Sequence, residues 1–423
     1  MRARRVRWLV VSLALLPVMA DCGDGTAGPH LPDPDGDLRE RFNLRALGEI
    51  PYPPDNGPVV ARIALGRLLF SDPILSGEKD VACVTCHHPR FAFTDGRQFS
   101  AGVSGVGLGP DRSVSASRLT GRSIPLNARN SPTIFNAALN GDPTGRPTHV
   151  GFQFWDGRVQ GLEEQARGPI MSRHEMAGDA YAAEVARDSV VARLRGLDEY
   201  VRLFHGAFPS EAARFPGPEI ISMDTYGRAV AAYERELVTR NSPFDQYARG
   251  DDGALTPRQK RGLELFFTKA NCAVCHGGAM FSDFGFHVLG VPQEGTGMAV
   301  IPGDDTGREE HTSSLADRHA FRTPTLRNTE LTAPYMHGGV FDTLEEVVRF
   351  YNDGAKPRHP AVPDALLDPE VRAPLSLTNE EMRELVEFMK ALTDPGTALD
   401  PVLLTVPASV PSGLTPVFGV RAR

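Results

Sequence analysis

The stretch Val81–Pro89 reads VACVTCHHP, and a later stretch, Asn271–Gly278, reads NCAVCHGG. Each contains the pattern Cys-x-x-Cys-His. Residues three and four apart on a helical turn share one face, so both sulfurs and the imidazole can reach the same group from one side. This pattern is typical of covalent c-type haem attachment, in which the sulfurs form thioethers with the haem vinyl groups and the histidine binds the iron. The residues concerned are Cys83, Cys86 and His87 in the first motif, and Cys272, Cys275 and His276 in the second.

Two other interpretations of a Cys-x-x-Cys pair are a zinc site and a thioredoxin-like dithiol. Here both pairs are followed directly by histidine, and together they use four of the five cysteines in the chain. The sequence therefore predicts two covalently bound haem c groups as cofactors.

The composition is that of a globular protein with long loops. The chain has 423 residues, enough for two or three domains with full cores, and 41% of them are hydrophobic. The 42 glycines and 35 prolines indicate long irregular connections. The formal net charge is −8, and nucleic acid, whose phosphates attract basic surfaces, is not an expected partner.

The first 20 residues, MRARRVRWLVVSLALLPVMA, combine an arginine-rich start, an apolar core and a terminal alanine. This pattern predicts a secretory signal peptide over residues 1–20, and no other segment approaches the roughly 20 apolar residues of a membrane span. Because c-type haem is attached outside the bacterial cytoplasm, we expect the protein in the periplasm. Cys22 follows the apolar core closely and leaves a lipid anchor open, although Asp21 departs from the usual small residue. Contact with a membrane is expected only if Cys22 is lipidated.

Each haem motif is preceded by an amphipathic helix of the same pattern. Val60–Phe70 and Arg258–Lys269 both place apolar residues on one stripe, and both contain Gly-x-x-Leu-Phe, which begins at Gly66 and at Gly262. Thr256 is a suitable N-cap for the second of these helices. The repetition predicts a mainly α fold with two tandem cytochrome c-like haem domains and long irregular loops.

Two further helices are predicted. Pro218–Val238 is amphipathic, and a capping box formed by Thr378 and Glu381 opens a helix that runs to Leu392. The predicted segments of the chain are a signal peptide (1–20), a flexible N-terminal tether (21–48), an N-terminal haem domain (49–240), a linker (241–255), a C-terminal haem domain (256–395) and a surface tail (396–423).

Several stretches outside the haem motifs are not generic. They are RNSPTIFNAALN (129–140), QFWDGR (153–158), LEEQARGPIMSRHEM (162–176), FRTPTLRNTELTAPYMHGG (321–339) and TLEEVVRFYNDG (343–354). Together with the two haem motifs they resemble the bacterial di-haem cytochrome c peroxidase/MauG family over residues 45–395. The resemblance implies that the first haem meets peroxide and that the second transfers electrons.

The resemblance also implies roles for particular residues. Trp155 would lie between the haems and relay electrons, and Glu175 would be the distal catalytic carboxylate. Gln165 and Pro169 would line the same pocket as Glu175. A calcium ion between the domains would be held by oxygen ligands, which a hard cation prefers. The calcium ligands would be Asn130 and the backbone carbonyls of Thr332 and Pro334.

Chemical reasoning agrees with the role implied for Glu175. Cleavage of peroxide requires a proton to move from the near oxygen to the far one, and a desolvated carboxylate close to the iron can carry it. Taken alone, Glu175 could equally be a surface acid on a helix, and Trp155 could be a core-packing residue. The resemblance favours a functional role for both.

One departure from the family concerns the far side of the first iron. Peroxidases of the family carry a distal histidine between the first haem motif and the RNxPT stretch, and it blocks the iron until the other haem is reduced. Residues 89–148 contain no histidine, and the glycine-rich stretch Phe91–Gly109 cannot supply one. We therefore expect a five-coordinate first haem that is open at rest. His149 and His174 are the alternative distal ligands.

A second departure concerns the far ligand of the second haem. Fourteen residues after His337 the chain has Tyr351, where peroxidases of the family have methionine and MauG-type members have tyrosine. A phenolate favours ferric iron and lowers the potential, whereas a thioether raises it. Tyr351 is the predicted ligand, and Met336 is the alternative, with packing as its other role. His337 is expected near a propionate or the surface between the domains. The remaining histidines, expected in exposed loops or edges, are His30, His205, His287, His311, His319 and His359.

The predicted activity is that of a cytochrome-c peroxidase: reduction of hydrogen peroxide to water with electrons from a small redox protein, either a c-type cytochrome or a cupredoxin. One alternative is a MauG-like enzyme that oxidises residues of a partner protein through a high-valent pair of haems. Another is a non-enzymatic di-haem electron carrier, which requires two six-coordinate irons and a dispensable Glu175. A homodimer is left open as the assembly state.

Overall fold

The structure is a computed structural model that describes residues 37–113, 116–293, 304–396 and 398–416. The predicted signal peptide, Cys22 and His30 lie outside the described residues. The described chain is mainly helical with long irregular connections, so the predicted fold class is confirmed. Within the described ranges, no helix has both the length and the apolar character that a membrane crossing needs.

The regular elements are short and separated by loops and 3-10 turns. The α-helices are α1 (Leu38–Arg41), α2 (Val60–Ser71), α3 (Cys83–Cys86), α4 (Leu162–Gln165), α5 (Ala183–Arg195), α6 (Asp198–Ala207), α7 (Pro209–Ala212), α8 (Met223–Arg235), α9 (Pro243–Ala248), α10 (Pro257–Phe267), α11 (Ala273–His276), α12 (Glu309–Thr312), α13 (Leu344–Asn352) and α14 (Asn379–Lys390). The strands are β1 (Phe152–Gln153), β2 (Val159–Gln160), β3 (Phe286–His287) and β4 (Phe321–Arg322).

Two apolar cores organise these elements. The first is formed mainly by α2, α5, α6 and α8, and the second by α9, α10, α13 and α14. Strand β1 pairs with β2 and β3 pairs with β4, both antiparallel. Phe152 of β1 packs edge-on against Phe286 of β3, with ring centroids 5.3 Å apart, so the two ribbons meet where the halves of the chain join.

The helix before each haem motif packs closely on a partner helix through a glycine. A Cβ on Gly66 in α2 would collide with the carbonyl oxygen of Ala229 in α8, and a Cβ on Gly262 in α10 would collide with that of Glu384 in α14. Only glycine lets the backbones approach this closely. Both helices predicted before the haem motifs are confirmed, and the repeated Gly-x-x-Leu-Phe marks the same helix contact in each half.

The helix predicted over Pro218–Val238 is shorter in the structure. α8 begins at Met223, because Ser222 and Thr225 form a reciprocal capping box that closes its N-terminus. Pro218–Ile220 forms a separate 3-10 turn. The capping box predicted at the start of α14 is confirmed.

Residues 241–255, predicted as a polar linker, contain helix α9 and take part in the second core. Phe244 packs edge-on against Phe281 with ring centroids 4.8 Å apart. Asp245 forms a buried ion pair of 2.9 Å with Arg327. The segment reads as polar but buries its aromatic side chains in the second core, and its role as a linker stays a prediction. The domain boundaries themselves stay predictions.

Both described ends of the chain are packed rather than free. Phe42, in the predicted tether, stacks on Phe267 with ring centroids 4.8 Å apart and joins the second core. In the predicted surface tail, the Leu403 carbonyl accepts a hydrogen bond of 2.8 Å from the Tyr233 hydroxyl, and neighbouring leucines join the first core. The described parts of the tether and the tail therefore pack apolar side chains against the two cores, and their assignment as tether and surface tail stays a prediction.

Candidate active site

Both haem motifs form single helical turns that present a correctly oriented histidine. In the first motif, His87 Nδ1 lies 3.1 Å from the carbonyl oxygen of Phe93. In the second, His276 Nδ1 lies 2.9 Å from the carbonyl oxygen of Phe281. Donation from Nδ1–H to a carbonyl fixes the tautomer and leaves Nε2 as the nitrogen that can bind iron.

Each motif borders a cavity, and His87 of the first motif borders both. The first haem cavity, of about 350 Å³, is bordered by the residues of the first motif. The second haem cavity, of about 320 Å³, is bordered by those of the second motif. Paired thiols, a histidine with a free Nε2 and an adjoining cavity fit a covalently attached haem at both places. The donor residues are Cys83, Cys86 and His87 at the first cavity, and Cys272, Cys275 and His276 at the second.

Trp155 lies in the wall that the two cavities share. Its side chain borders both of them. The indole Nε1 donates a hydrogen bond of 2.9 Å to the Asn130 carbonyl, and the Trp155 carbonyl accepts one of 2.7 Å from the Arg322 N–H. The ring is thus held between the two predicted haem positions, as an electron relay requires. Its role stays a prediction.

Glu175 lies at the first cavity rather than on the outer surface. It belongs to a π-helical turn, Arg173–Ala177, and borders the cavity together with His174. Burial raises the pKa of Glu175, and the guanidinium of Arg158 opposes that effect. A carboxyl in such surroundings can exchange a proton with a molecule bound in the cavity.

The glycine-rich stretch Phe91–Gly109 packs against the turn that carries Glu175. The Val103 N–H donates a hydrogen bond of 3.0 Å to the Glu175 carbonyl. A Cβ on Gly102 would collide with the carbonyl oxygen of His174, so this position needs glycine. Gly102 therefore permits the close backbone approach to the turn that carries Glu175.

Gln165 and Pro169 also border the first cavity, as the resemblance implies. Gln165 is the last residue of α4, and Pro169 opens a 3-10 turn that leads to the turn of Glu175. The two residues therefore lie on consecutive elements along one wall of the cavity.

The two alternative distal histidines differ in position. His149 follows Thr148 in a surface loop and borders neither haem cavity. His174 borders the first cavity, and burial, then the charge of Arg173, lowers its pKa. If a histidine closes the first haem site, the geometry favours His174.

Both candidate far ligands of the second iron border the second cavity together with His276. Tyr351 is carried by α13, and burial raises its pKa. Met336 lies in a loop with φ of 71° and packs against the aromatic cluster around Phe350. The structure brings the two side chains to the same cavity, and Tyr351 stays the prediction.

The three predicted calcium ligands, Asn130, Thr332 and Pro334, all border the second cavity. The Asn130 side-chain nitrogen donates a hydrogen bond of 2.7 Å to the Arg97 carbonyl. Among the described residues, its side-chain oxygen has no hydrogen-bond partner and is available to a cation. The donor chemistry fits a hard cation.

Several of the histidines are more buried than the sequence predicts. His319 is only 3% exposed, so that expectation is wrong for it. His337, also buried, stacks on Phe321 with ring centroids 3.7 Å apart, and burial lowers its pKa to about 4. Asp283 and Asp368, each 2.9 Å from the ring of His287, raise the pKa of that histidine. His205 and His359 are half-buried and hydrogen-bonded, whereas His311 is exposed, as predicted, with its Nε2 3.0 Å from Asp156.

An ion-pair network that sequence analysis missed joins the two halves beside Trp155. Arg129 donates to both carboxylate oxygens of Asp305 at 2.7 Å and also to Asp156, which is fully buried. Burial alone would raise the pKa of Asp156, but the charges of Arg129 and Arg158 hold that pKa below its usual range. The sequence contains a signal for this network, because Arg129 is the first residue of the RNSPT stretch and Asp156 belongs to the FWDGR stretch.

The paired haem motifs, the two cavities and the shared wall define a di-haem c-type oxidoreductase. Residues 60–253 match the model of a known family, described as di-haem cytochrome c peroxidase. The methylamine utilization protein MauG of Methylorubrum extorquens is 34% identical over 372 residues, which cover 88% of this chain and 87% of that protein. The chain belongs to the di-haem cytochrome c peroxidase family.

Relatives with two kinds of name resemble the chain to a similar degree. The cytochrome-c peroxidase IdrP1 of Pseudomonas sp. (strain SCT) is 35% identical over 387 residues, covering 85% of this chain and 88% of that protein. A solved structure of a MauG-like protein associated with microbial copper homeostasis superposes with a TM-score of 0.66 at 30% identity, covering 86% of this chain and 96% of that one. The protein is thus a peroxidase-type oxidoreductase of a family that carries two haem c groups.

Proposed function

We propose that this protein reduces hydrogen peroxide to water at the first haem cavity, with electrons that a small redox protein delivers through the second haem. The observation that carries the proposal is the position of Glu175, a desolvated carboxyl that borders the same cavity as His87. Two electrons and two protons convert one peroxide molecule into two waters, so the site must supply protons as well as electrons.

The chain's own residues supply the proton transfer. A haem held by Cys83, Cys86 and His87 would supply redox chemistry at this cavity. Glu175 accepts the proton of the near oxygen and returns it to the far oxygen, so that the far oxygen leaves as water. Gln165 and Pro169 shape the cavity wall beside it. His87, held by the Phe93 carbonyl, keeps the near side of the first haem fixed.

The shared wall gives electrons a short route between the haems. Trp155 borders both cavities, and its indole is held by the Asn130 carbonyl. We assign electron transfer to Trp155 because an aromatic ring fixed between two redox groups shortens the gap that electrons must cross.

A second candidate is long-range oxidation of a partner protein, as in MauG-type members. Tyr351 favours it, because a phenolate ligand at the second cavity would stabilise oxidised iron. The absence of histidine from residues 89–148 favours an open first haem in both cases. Both candidates use Glu175 and Trp155 in the same roles.

One equivalent of hydrogen peroxide added to the fully oxidised holoprotein separates the candidates. An immediate change in the visible spectrum shows an open first haem, and subsequent rapid oxidation of a reduced c-type cytochrome or cupredoxin supports the peroxidase. A persistent near-infrared band, which reports charge shared between the haems, with slow oxidation of the redox protein supports MauG-type chemistry. No change in the spectrum contradicts the open site.

Two histidine variants identify the cause if the oxidised protein does not react. His174→Ala should then restore the immediate reaction, because His174 borders the first cavity. His149→Ala is the matched control, because His149 borders neither cavity. Unchanged peroxide reactivity in Glu175→Gln would instead support the non-enzymatic electron carrier.

We further infer that residues 1–20 direct export to the periplasm and that a calcium ion lies at Asn130, Thr332 and Pro334. The mass of the mature N-terminus shows whether the leader is removed and whether Cys22 carries lipid. Dialysis against a calcium chelator should alter the spectra of the haems and slow electron transfer between them. Re-addition of calcium should restore both, whereas insensitivity to the chelator contradicts the calcium site.

A further inference from the structure

Glu234 is a buried carboxyl group in the wall that the two haem cavities share. It lies in the last turn of α8, is 4% exposed and borders both cavities. Among the described residues, its Oε2 atom has no hydrogen-bond partner. A buried polar atom without a partner requires an explanation, and a bound proton that converts the carboxylate into a neutral acid provides one.

The neighbouring arginine does not neutralise Glu234. The guanidinium of Arg235 donates from Nη1 to Glu163 Oε1 at 2.6 Å and from Nη2 to Glu163 Oε2 at 2.9 Å. This fork engages both terminal nitrogens of Arg235 with a different carboxylate. No ion pair to Glu234 is present within the described part of the chain.

One ionisable group near Glu234, the Cys83 thiol, is lost in the holoprotein. Glu234 and Cys83 border the same cavity. Burial, then the negative charge of Glu234, raises the pKa of the Cys83 thiol to about 12. Haem attachment turns that thiol into an uncharged thioether. Burial raises the pKa of Glu234 to about 8, with Arg235 opposing and Glu163 adding to the rise. The titratable and charged groups that face Glu234 are Glu163 from α4, Cys83 from α3, and Tyr226, Tyr233 and Arg235 from α8 itself.

We propose that Glu234 is the proton-binding group coupled to the first haem: its carboxyl takes up one proton when that haem gains one electron, and releases the proton when the electron leaves. A carboxylate beside the haem edge opposes an added electron, and protonation removes that opposition. The electron comes from the redox partner and the proton from solvent, so the haem and Glu234 together keep their total charge.

Glu234 acts through the haem and is a positioning residue rather than a catalytic one. Its effect is to set the potential of the first haem and to make that potential depend on pH. The inference rests on the first haem being attached at Cys83 and Cys86. It does not depend on whether the enzyme is a peroxidase or of the MauG type.

Spectroelectrochemical titration of the holoprotein over a series of pH values tests the proposal without peroxide or a protein partner. In the wild type, the potential of the first haem should fall as pH rises through the titration of Glu234, by up to about 59 mV per tenfold change in proton concentration. In Glu234→Gln, the potential should stay at the low-pH level of the wild type throughout, because the amide is always neutral. Glu234→Asp should keep a pH-dependent potential with a displaced window.

Glu236→Gln is the matched control. Glu236 follows α8 directly, is half-buried and borders neither cavity, so the control should keep the wild-type pH dependence. A wild-type potential that does not change with pH overturns the proposal, and so does an unchanged slope in Glu234→Gln. If Glu234→Gln does not bind haem, the pH dependence of the first-haem potential in the wild type and in Glu234→Asp tests the proposal instead. Because no peroxide is added, the result is independent of the proposed function.

Discussion

The indole Nε1 of Trp155 donates a 2.9 Å hydrogen bond to the backbone carbonyl of Asn130, and both residues border the two haem cavities. This bond holds the ring across the wall through which electrons would pass. A backbone acceptor is less variable than a side-chain one, so the orientation of the indole depends on the path of the chain at residue 130.

Trp155→Phe should slow electron exchange between the haems while both haems stay bound. Phenylalanine keeps a ring in the wall but loses the Asn130 hydrogen bond and part of the aromatic system. We expect a loss of about tenfold, equivalent to about 1.4 kcal/mol of barrier. Rapid one-electron reduction followed by absorbance of each haem measures the rate. Phe152→Leu, at a ring that borders neither cavity, is the control, and equal rates in Trp155→Phe and wild type would remove the relay role.

Glu175→Gln should lower kcat/KM for peroxide by about 10²- to 10⁴-fold, the usual contribution of a general acid–base group. The spectra of the resting haems should not change, because the amide has the same shape. Glu164→Gln, which alters a partly exposed acid of α4 that borders neither cavity, should retain activity. Steady-state assays measure the activity of both variants. Equal activities in Glu175→Gln and Glu164→Gln would contradict the proton-transfer role of Glu175.

The pH profile of kcat/KM tests the environment of Glu175. The carboxylate must be ionised to accept the peroxide proton, so activity should fall as pH decreases through its pKa. Because burial raises that pKa, the fall should begin at a higher pH than for an ordinary glutamate. Loss of this limb in Glu175→Gln would confirm its source, whereas a limb that persists in the variant belongs to another group.

Tyr351→Phe should change the spectrum and raise the potential of the second haem, with the first haem unaffected. The reason is that removal of the phenol hydroxyl leaves no oxygen for the iron to bind. Met336→Leu, at the other candidate side chain of the same cavity, should leave the spectrum as it is. A reversed result, with a change only in Met336→Leu, would identify Met336 as the ligand.

Gly66→Ala and Gly262→Ala should each destabilise the fold by about 1–3 kcal/mol, because the new methyl group meets a backbone carbonyl of the partner helix. Gly206→Ala in α6 is the matched control, since a Cβ there meets nothing within 4 Å. Alanine at that position should stabilise the helix by up to about 1 kcal/mol. Denaturant unfolding of the three holoproteins measures the differences, and equal midpoints would contradict the packing account.

Features encoded by local sequence were predictable. The spacing within Cys-x-x-Cys-His, the Gly-x-x-Leu-Phe repeat and the cap at Thr378 each act over a few residues, and the structure contains all three local arrangements. The family resemblance predicts functional roles for Glu175 and Trp155. From composition alone, Glu175 would be interpreted as a surface acid and Trp155 as a core residue.

Features that depend on distant partners were not predictable. Helix α9 lies in a run that reads as polar, and its burial depends on Phe281 and Arg327, which are far along the chain. His319 is buried against Asp304 and His359, and the ion pair of Arg129 with Asp305 joins the two halves, so both depend on partners distant in sequence. The tail reads as irregular because its leucines follow the shape of the first core rather than a helical or strand period.

Each core is completed by the opposite end of the chain. Leu38 and Phe42 belong to the second core, whereas Leu403 and Leu414 belong to the first. During synthesis, the first haem motif therefore leaves the ribosome long before the C-terminal residues that pack on its domain. The second domain, in contrast, packs against an N-terminal segment that is synthesised much earlier than the domain itself. Neither half produced alone would carry its full core, so the first domain is complete only when residues up to 414 can pack on it.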